Sequence, residues 1–594
     1  MQSPAAYYQQ RIQQLQEHLR KVQQQLIAVS VARLISFLGV LIAGYYWIKS
    51  DGSTLLLSIT VISLIVFIIF VKRAFRLNDE KALTSKLLFV NHNEAGILNH
   101  QQSKFPDGRE FAAEAGYAAD LDIFGPNSLY HLLNRTTTTH GTAALQQVLQ
   151  KPELDTVVIR NNQKAIQQLA AQVEKRQLLT AHGLLHGEKE GNLHEVFAWL
   201  QMPTVLYQLQ WVRAIRWIMP AISMAGLIAF VVTDTYQWIL PGIVVSWLIT
   251  GSFAKRILLQ HNLLSKKQSI LEQYGSILQL FSEVESGDSI VLKKEKATAE
   301  EANKAIQQLS KLAGLFDQRL NLLVNFFLNS FLLYDIRCMY ALDKWKTVNK
   351  EKFNHWIDGV GTIETLNSLS GFTFNNPDFS WPELQTEKMI ISATALAHPL
   401  IPAQERVAND FTIGNEEQLM LVTGSNMSGK TTFLRSVGVN LLLAQCGAPV
   451  CASRFLLTPM NILSSIRVSD SLQEHTSYFM AELKQLQQII RFLQTASSPS
   501  LILIDEILRG TNSEDKTHGS DQFIRKLLQY RCLTLFATHD LTLSVLEQEL
   551  PGKLSNYCFE SIIRDGELIF DYTLQRGVAK NKNASFLMKK MEII

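Results

Sequence analysis

The chain has 594 residues, of which 18% are charged, and a net charge of +3. That length exceeds one compact core and calls for several domains. The near-neutral balance lacks the strongly basic signature of a dedicated nucleic-acid binder. The five cysteines, Cys338, Cys446, Cys451, Cys532 and Cys558, form no Cys-x-x-Cys pair. This argues against a disulfide framework or a zinc site and fits a reducing compartment.

The first element in chain order is amphipathic. Ile12, Leu15, Leu19, Val22 and Leu26 recur at helical spacing. It reads as a short coiled coil, as the start of the apolar helix that follows, or as a helix packed on its own protein. Next come two apolar hairpins, at about 29–48 with 55–71 and at about 217–233 with 238–253. Each run is near the ~17–25 residues that cross a bilayer, although short apolar runs also serve as buried core helices. Trp47, Trp217 and Trp238 lie near segment ends, as interfacial aromatics do. Arg20, Lys21, Lys72, Arg73, Arg76, Arg213, Arg216, Lys255 and Arg256 flank the hairpins, and the connecting turns carry less positive charge. The positive-inside rule then predicts a multi-pass cytoplasmic (inner) membrane protein with its soluble parts in the cytosol. A further apolar run at 320–334 is short and carries Asn321, Asn325 and Asn329 as a polar stripe. It is expected to be a packed soluble helix rather than a fifth span.

The chemistry lies further on. Gly424-Ser425-Asn426-Met427-Ser428-Gly429-Lys430-Thr431 is a G-x-x-x-x-G-K-[ST] loop between an apolar strand pattern and a helical one. Its amides can face phosphate oxygens, Lys430 can reach the β- and γ-phosphates, and Thr431 can hold Mg²⁺. Thr432 continues the loop into the helix. Leu501-Ile502-Leu503-Ile504-Asp505-Glu506 reads as a buried parallel strand ending in two carboxylates. Asp505 would join Thr431 at Mg²⁺, and Glu506 would activate the attacking water. A third strand pattern ends in Thr538-His539-Asp540 and would aim His539 at the γ-phosphate.

These ordered motifs resemble the MutS family of ATPases. Thr423 to Thr432, Asp505-Glu506-Ile507-Leu508-Arg509-Gly510-Thr511 and Phe536-Ala537-Thr538-His539 carry the likeness. So do Ser477-Tyr478-Phe479-Met480-Ala481-Glu482 and Ala397-His398-Pro399-Leu400, and on the C-terminal side Tyr572 to Val578 with Asn581 to Ala584. Upstream, Leu121-Asp122-Ile123-Phe124, Leu132-Leu133-Asn134-Arg135-Thr136 and Gly141 resemble the opening of the family's helical core. The likeness implies an α/β P-loop NTPase domain of ABC type at the C-terminus, preceded by an all-α core and lever region that here carries two transmembrane hairpins. The expected divisions are 1–80, 81–211, 212–256, 257–385 and 386–594. It also implies a homodimer in which Ser477 and Glu482 belong to a signature that reaches the partner's ATP site.

The departures are as informative. No mismatch-wedging Phe-x-Glu motif precedes the core, since Phe111-Ala112-Ala113-Glu114 has the wrong spacing. The second hairpin interrupts the helices where the family's DNA clamp is inserted. Leu508 replaces a small residue, and Tyr478 stands where Thr is usual. Two functional classes follow. One is a membrane-anchored ATPase acting on mismatched or branched DNA in repair. The other is a membrane ATPase that works on a protein partner or on the bilayer itself. Arg135, Arg160, Lys164, Lys175 and Arg176 are the basic residues of the core that a DNA reading would use.

Overall fold

The computed structural model describes residues 3–50, 52–112, 116–185, 193–467, 478–508, 512–564 and 567–580. Two helices of 46 and 45 residues, α1 (Pro4–Lys49) and α2 (Thr54–Leu98), pack along each other as a hairpin. Each is about 68 Å long at 1.5 Å per residue. The Ser3 hydroxyl caps α1 by accepting from the Ala6 amide, with Pro4 in the first turn. The amphipathic N-terminal stretch and the first apolar run are therefore one continuous helix.

The two ends of this hairpin differ in their surroundings. In the apolar half, Ile35 and Ile62 are 65% and 60% exposed. In the other half, Leu77, Leu87, Val90 and Glu94 of α2 recur at helical spacing and are buried. At the far end of α1, the Tyr8 hydroxyl donates to Asn375 Oδ1 at 2.8 Å. Helix α2 thus runs through residue 80, where a domain boundary was expected, and ends inside the helical core.

The second apolar region is less regular than its sequence predicts. Helix α3 (Gln210–Thr233) has 24 residues, but α4 (Leu240–Ser252) has only 13. At about 20 Å, α4 falls short of a ~30 Å hydrocarbon layer. It bends by 66° into α5 (Ala254–Leu264). Among the described residues three helices, α1, α2 and α3, are long and apolar enough to cross a membrane, or up to five if each bent pair counts as one. The second expected run, about 238–253, is thus divided between a tight turn at Tyr236–Trp238 and α4, with the bend into α5 at its end.

The run at 320–334 also departs from expectation. It forms α6 (Leu322–Leu332), which packs on α3 and α4. Its apolar side chains point outward, with Leu322 at 83% and Leu323 at 73% exposure. Of its polar stripe, Asn329 is buried, Asn325 is half-buried and Asn321 is exposed at the helix start. After Leu333, with a left-handed φ of 50°, the chain turns by 81° into α7 (Tyr334–Asn375), a 42-residue helix that forms the spine of the core.

Buried charge fixes that core. Arg135 is bound by Glu94, whose Oε2 also accepts from Asn375 Nδ2 at 2.7 Å. Burial alone would raise the Glu94 carboxyl, but Arg135 and the Asn375 amide hold it below the ordinary range. Glu364 on α7 accepts from the Thr137 amide and hydroxyl at 2.8 and 2.6 Å, and from Thr138. Gly141 makes room for this carboxylate, because a Cβ there would lie 1.8 Å from Glu364 Oε2.

Two sheets follow. The smaller has the order β1 (Glu383–Leu384), β5 (Arg454–Leu457), β2 (Ile390–Leu396), β3 (Asn409–Gly414). The larger has the order β10 (Glu567–Arg576), β9 (Leu554–Arg564), β4 (Leu419–Gly424), β8 (Cys532–Thr538), β7 (Ser500–Asp505), β6 (Asn461–Ser465). It is parallel from β9 to β6, with β10 antiparallel at the edge. Strands β4, β7 and β8 are buried at every residue, which explains their continuous apolar sequence.

Replacing Arg135 with Met leaves the Glu94 carboxylate in the core without its cation. The full chain in detergent should then lose about 3–5 kcal/mol, read as a lower unfolding midpoint. The pair's contribution is present above the unfolded carboxylate pKa and is lost as pH falls through the depressed folded value.

Candidate nucleotide site

The parallel order β4-β8-β7 brings three strand ends to one edge, where α/β sheets bind ligands. Strand β4 runs into the glycine loop and then into α8 (Lys430–Gln445). Gly424 and Gly429 have φ of 154° and 106°, and a Cβ on Gly424 would lie 2.8 Å from the Phe559 carbonyl oxygen. Glycine is required there for both conformation and space. Lys430 is buried and folds back over the loop, where its Nζ donates to the carbonyls of Gly424 and Ser425 at 2.9 and 2.8 Å. Ser428 is buried, whereas Met427 at the loop tip is 84% exposed. Asn426 and Thr432 are exposed as well.

The acidic strand arrives beside α8. Asp505 pairs in register with Ala537 of β8, and its Oδ2 accepts a hydrogen bond from the Thr431 hydroxyl. This pair offers only hard oxygen donors next to the phosphate loop, which suits Mg²⁺. Glu506 and Leu508 adopt left-handed backbone with φ of 56° and 59°, conformations that cost energy for non-glycine residues. Two supports hold this turn. The Leu508 amide donates to buried Glu482 Oε1 at 2.8 Å. Leu508 itself fits because position 519 is glycine, where a Cβ would lie 2.5 Å from Leu508 Cδ1.

Glu506 Oε1 accepts from Lys516 Nζ of α10 (Ser513–Leu527) at 2.5 Å. His539 follows β8, with Nε2 3.4 Å from Lys430 Nζ. Burial lowers the His539 pKa, and the Lys430 ammonium lowers it further. The ring therefore favours its neutral form, which can still donate a hydrogen bond.

Lys430, Thr431, Asp505, Glu506 and His539 thus line one cleft of about 1020 Å³. Glu482 does not. It lies in α9 (Tyr478–Thr495) and is buried in its own subunit beneath the Leu508 turn. Ser477 lies outside the described residues.

The cleft also contains residues to which sequence reasoning gave no role in it. Ile401, Val407, Phe433, Phe559 and Tyr572 give it an apolar side suited to a flat base. They are scattered along the chain and form no local pattern. Lys516 was missed too, though its position near the acidic motif was visible. Arg435 and Arg467 line the cleft and both bond Asp122, at 2.8 and 2.5 Å. Asp120 accepts from the Ser464 hydroxyl at 2.6 Å and from the Arg467 amide at 2.8 Å. The motif that opens the helical core is therefore bolted to the nucleotide cleft.

Of the five basic residues singled out in the core, Lys164 is exposed and the other four are engaged within the protein. Arg135 binds Glu94. Arg176 is buried against Phe374. Arg160 donates to the Leu384 carbonyl at 2.9 Å, and Lys175 pairs with Glu285 at 3.2 Å.

Residues 420–591 match the family model for MutS domain V. The DNA mismatch repair protein MSH3 of Debaryomyces hansenii is 30% identical over 248 residues, 39% of this chain and 24% of that protein. The DNA mismatch repair protein MutS of Streptococcus uberis is 32% identical over 241 residues, 39% of this chain and 28% of that protein. The match thus spans about a quarter of each relative's length.

His398 lines the same cleft, and burial, reinforced by Arg435, pushes its pKa down from 6.5 to about 4. Between those values the unfolded chain binds a proton that the folded chain does not, so stability falls as pH drops through that window. His398→Gln should flatten this slope, measured as the difference in melting temperature from wild type across the window.

Proposed function

The chain belongs to the MutS family through its C-terminal domain, and on that premise we propose that it is a membrane-anchored, Mg²⁺-dependent ATPase that acts as a dimer. The observation that carries the reading is the convergence of Lys430, Thr431, Asp505, Glu506 and His539 in one cleft. The loop amides and Lys430 bind and neutralise the β- and γ-phosphates. Thr431 and Asp505 hold Mg²⁺, which when bound adds positive charge where the phosphate oxygens gather. Glu506 orients a water at the γ-phosphorus and takes its proton as the bond to the β-phosphate oxygen breaks. Lys516 pairs with the Glu506 carboxylate and aims it. His539 donates to the γ-phosphate. Ser477, next to the start of α9, completes the partner's site, so turnover depends on dimerisation.

The membrane reading draws on the exposed apolar halves of α1 and α2, on α3, and on the basic residues that flank them. The ATPase domain then faces the cytosol at the inner membrane. ATP affinity that differs between open and closed dimers moves the helical core. The relatives are named DNA mismatch repair proteins, and by that likeness the work is done on DNA. A second reading, in which the partner is a protein or the bilayer, is favoured by the engagement of Arg135, Arg160, Lys175 and Arg176 within the protein.

Glu506→Gln should retain ATP binding while turnover falls about 10²–10⁴-fold. Unchanged turnover would remove Glu506 from its role as base. Binding of branched DNA by the full chain in nanodiscs, followed over a salt series, separates the two readings. A steep loss of affinity with salt supports DNA, and no binding at low salt supports the other partner.

A further inference from the structure

Helix α6 is built inside out. Asn321 caps it by accepting from the Leu323 and Val324 amides. Fully buried Asn329 donates to Asn325 Oδ1 at 2.5 Å and accepts from the Asp335 amide at 2.9 Å. Ser330, also buried, accepts from Trp247 Nε1 of α4 at 3.0 Å. The opposite face carries Leu322, Leu323, Phe326 and Phe327, which are 83%, 73%, 49% and 57% exposed. Leaving such side chains in water forgoes the gain of burying them. A helix facing water has the reverse arrangement.

Its length and joints say how it meets an apolar phase. Eleven residues give about 16 Å, far short of a ~30 Å hydrocarbon layer. One end joins the helix Ile290–Asp317 through a tight turn at Gln318–Leu320, and the other joins α7 at the 81° bend. Those two flanking helices pack on each other within the core, so both ends of α6 return to the same side. Its contact with Trp247 lies about 8 Å along α4 from the end at Ser252. An in-plane helix sits about 5–10 Å into the headgroup and acyl boundary. Cation–aromatic pairs adjoin it at the start of α7. Arg216 stands 3.9 Å over Tyr340, and Arg337 stands 5.0 Å over Trp217. That is the residue chemistry of a membrane interface.

We infer that α6 is an in-plane membrane foot. Its apolar face is bedded in the lipid boundary at the point where the two long core helices meet. This rests on the membrane-anchored reading proposed above and adds a contact that the hairpins alone do not supply. Helix α7 starts at the foot and ends eight residues before β1, so the foot is tied directly to the ATPase domain.

The test uses single substitutions Phe327→Cys, Ile62→Cys and Lys311→Cys in the full chain, each labelled with a polarity-sensitive fluorophore. The native described cysteines are buried and escape labelling. The protein is placed in phosphatidylcholine–phosphatidylglycerol vesicles with nitroxide lipids, quenching either near the headgroup or deep in the acyl chain. The label at 327 should be quenched about twofold more by the shallow nitroxide than by the deep one. The label at 62 should show the opposite preference, and the label at 311 should respond to neither. A label at 327 that behaves like the one at 311, while 62 is quenched, overturns the foot and leaves the membrane anchor standing. Stronger deep quenching at 327 overturns the in-plane geometry. Disulfide cross-linking of unlabelled Phe327→Cys between copies, with no quenching of the labelled form, assigns the face to a second subunit and also overturns the foot. If 62 is not quenched either, the membrane reading itself falls.

Discussion

The grip of the helical core on helix α8 is the constraint through which the rest of the molecule is tied to its nucleotide cleft. Leu121 is fully buried against α8, and Gly438 lets it approach so closely that a Cβ there would lie 2.7 Å from Leu121 Cδ1. On either side, Asp120 takes the end of β6 and Asp122 takes Arg435 and Arg467. The Asp122 pairs are partly exposed, and such pairs contribute about 0–1 kcal/mol each. The apolar interlock therefore supplies most of the hold, and the charges set its direction and register.

This arrangement puts recognition and transmission on one rigid piece. Thr431 and Arg435 stand four residues apart on α8, on the same face and one turn from each other. Thr431, which bonds Asp505, and Arg435, which bonds Asp122 of the core, cannot shift independently. On the other side of the cleft, Glu506 sits in a left-handed turn propped by Glu482 and Leu508. A turn held from beneath in an uncommon conformation keeps its carboxylate where the loop needs it, at a cost met by the surrounding packing.

The parts of the fold legible in the sequence were those whose signal is local. The glycine loop, the apolar strands ending in Asp505 and His539, and the two long apolar helices each announce themselves within a short window. Other features are decided by what lies across space. The stripe of Asn325 and Asn329 was visible, but a stripe gives only the two faces of a helix and not which one meets solvent. Helix α4 is short because the chain spends residues 236–238 on a tight turn and then bends at Phe253, and composition alone carries neither fact. Arg135 and Arg176 read as available positive charge until Glu94 and Phe374, far along the chain, close on them. Glu482 belonged to a recognisable motif, yet its burial under the Leu508 turn depends on a strand that follows it. The apolar wall of the cleft is assembled from four separate segments and has no sequence signature.

One consequence of α7 is mechanical. A 42-residue helix is a rod of about 63 Å, packed along much of its length and joined to the ATPase domain at one end. A tilt of about 5° at that end displaces the other by about 5 Å, simply from arc length on a rod of this size. A small tilt at the ATPase end thus becomes a displacement comparable to a whole helical turn at the far tip. The molecule has the proportions of a long crank joined to the ATPase domain at one end, and its gearing favours reach over force.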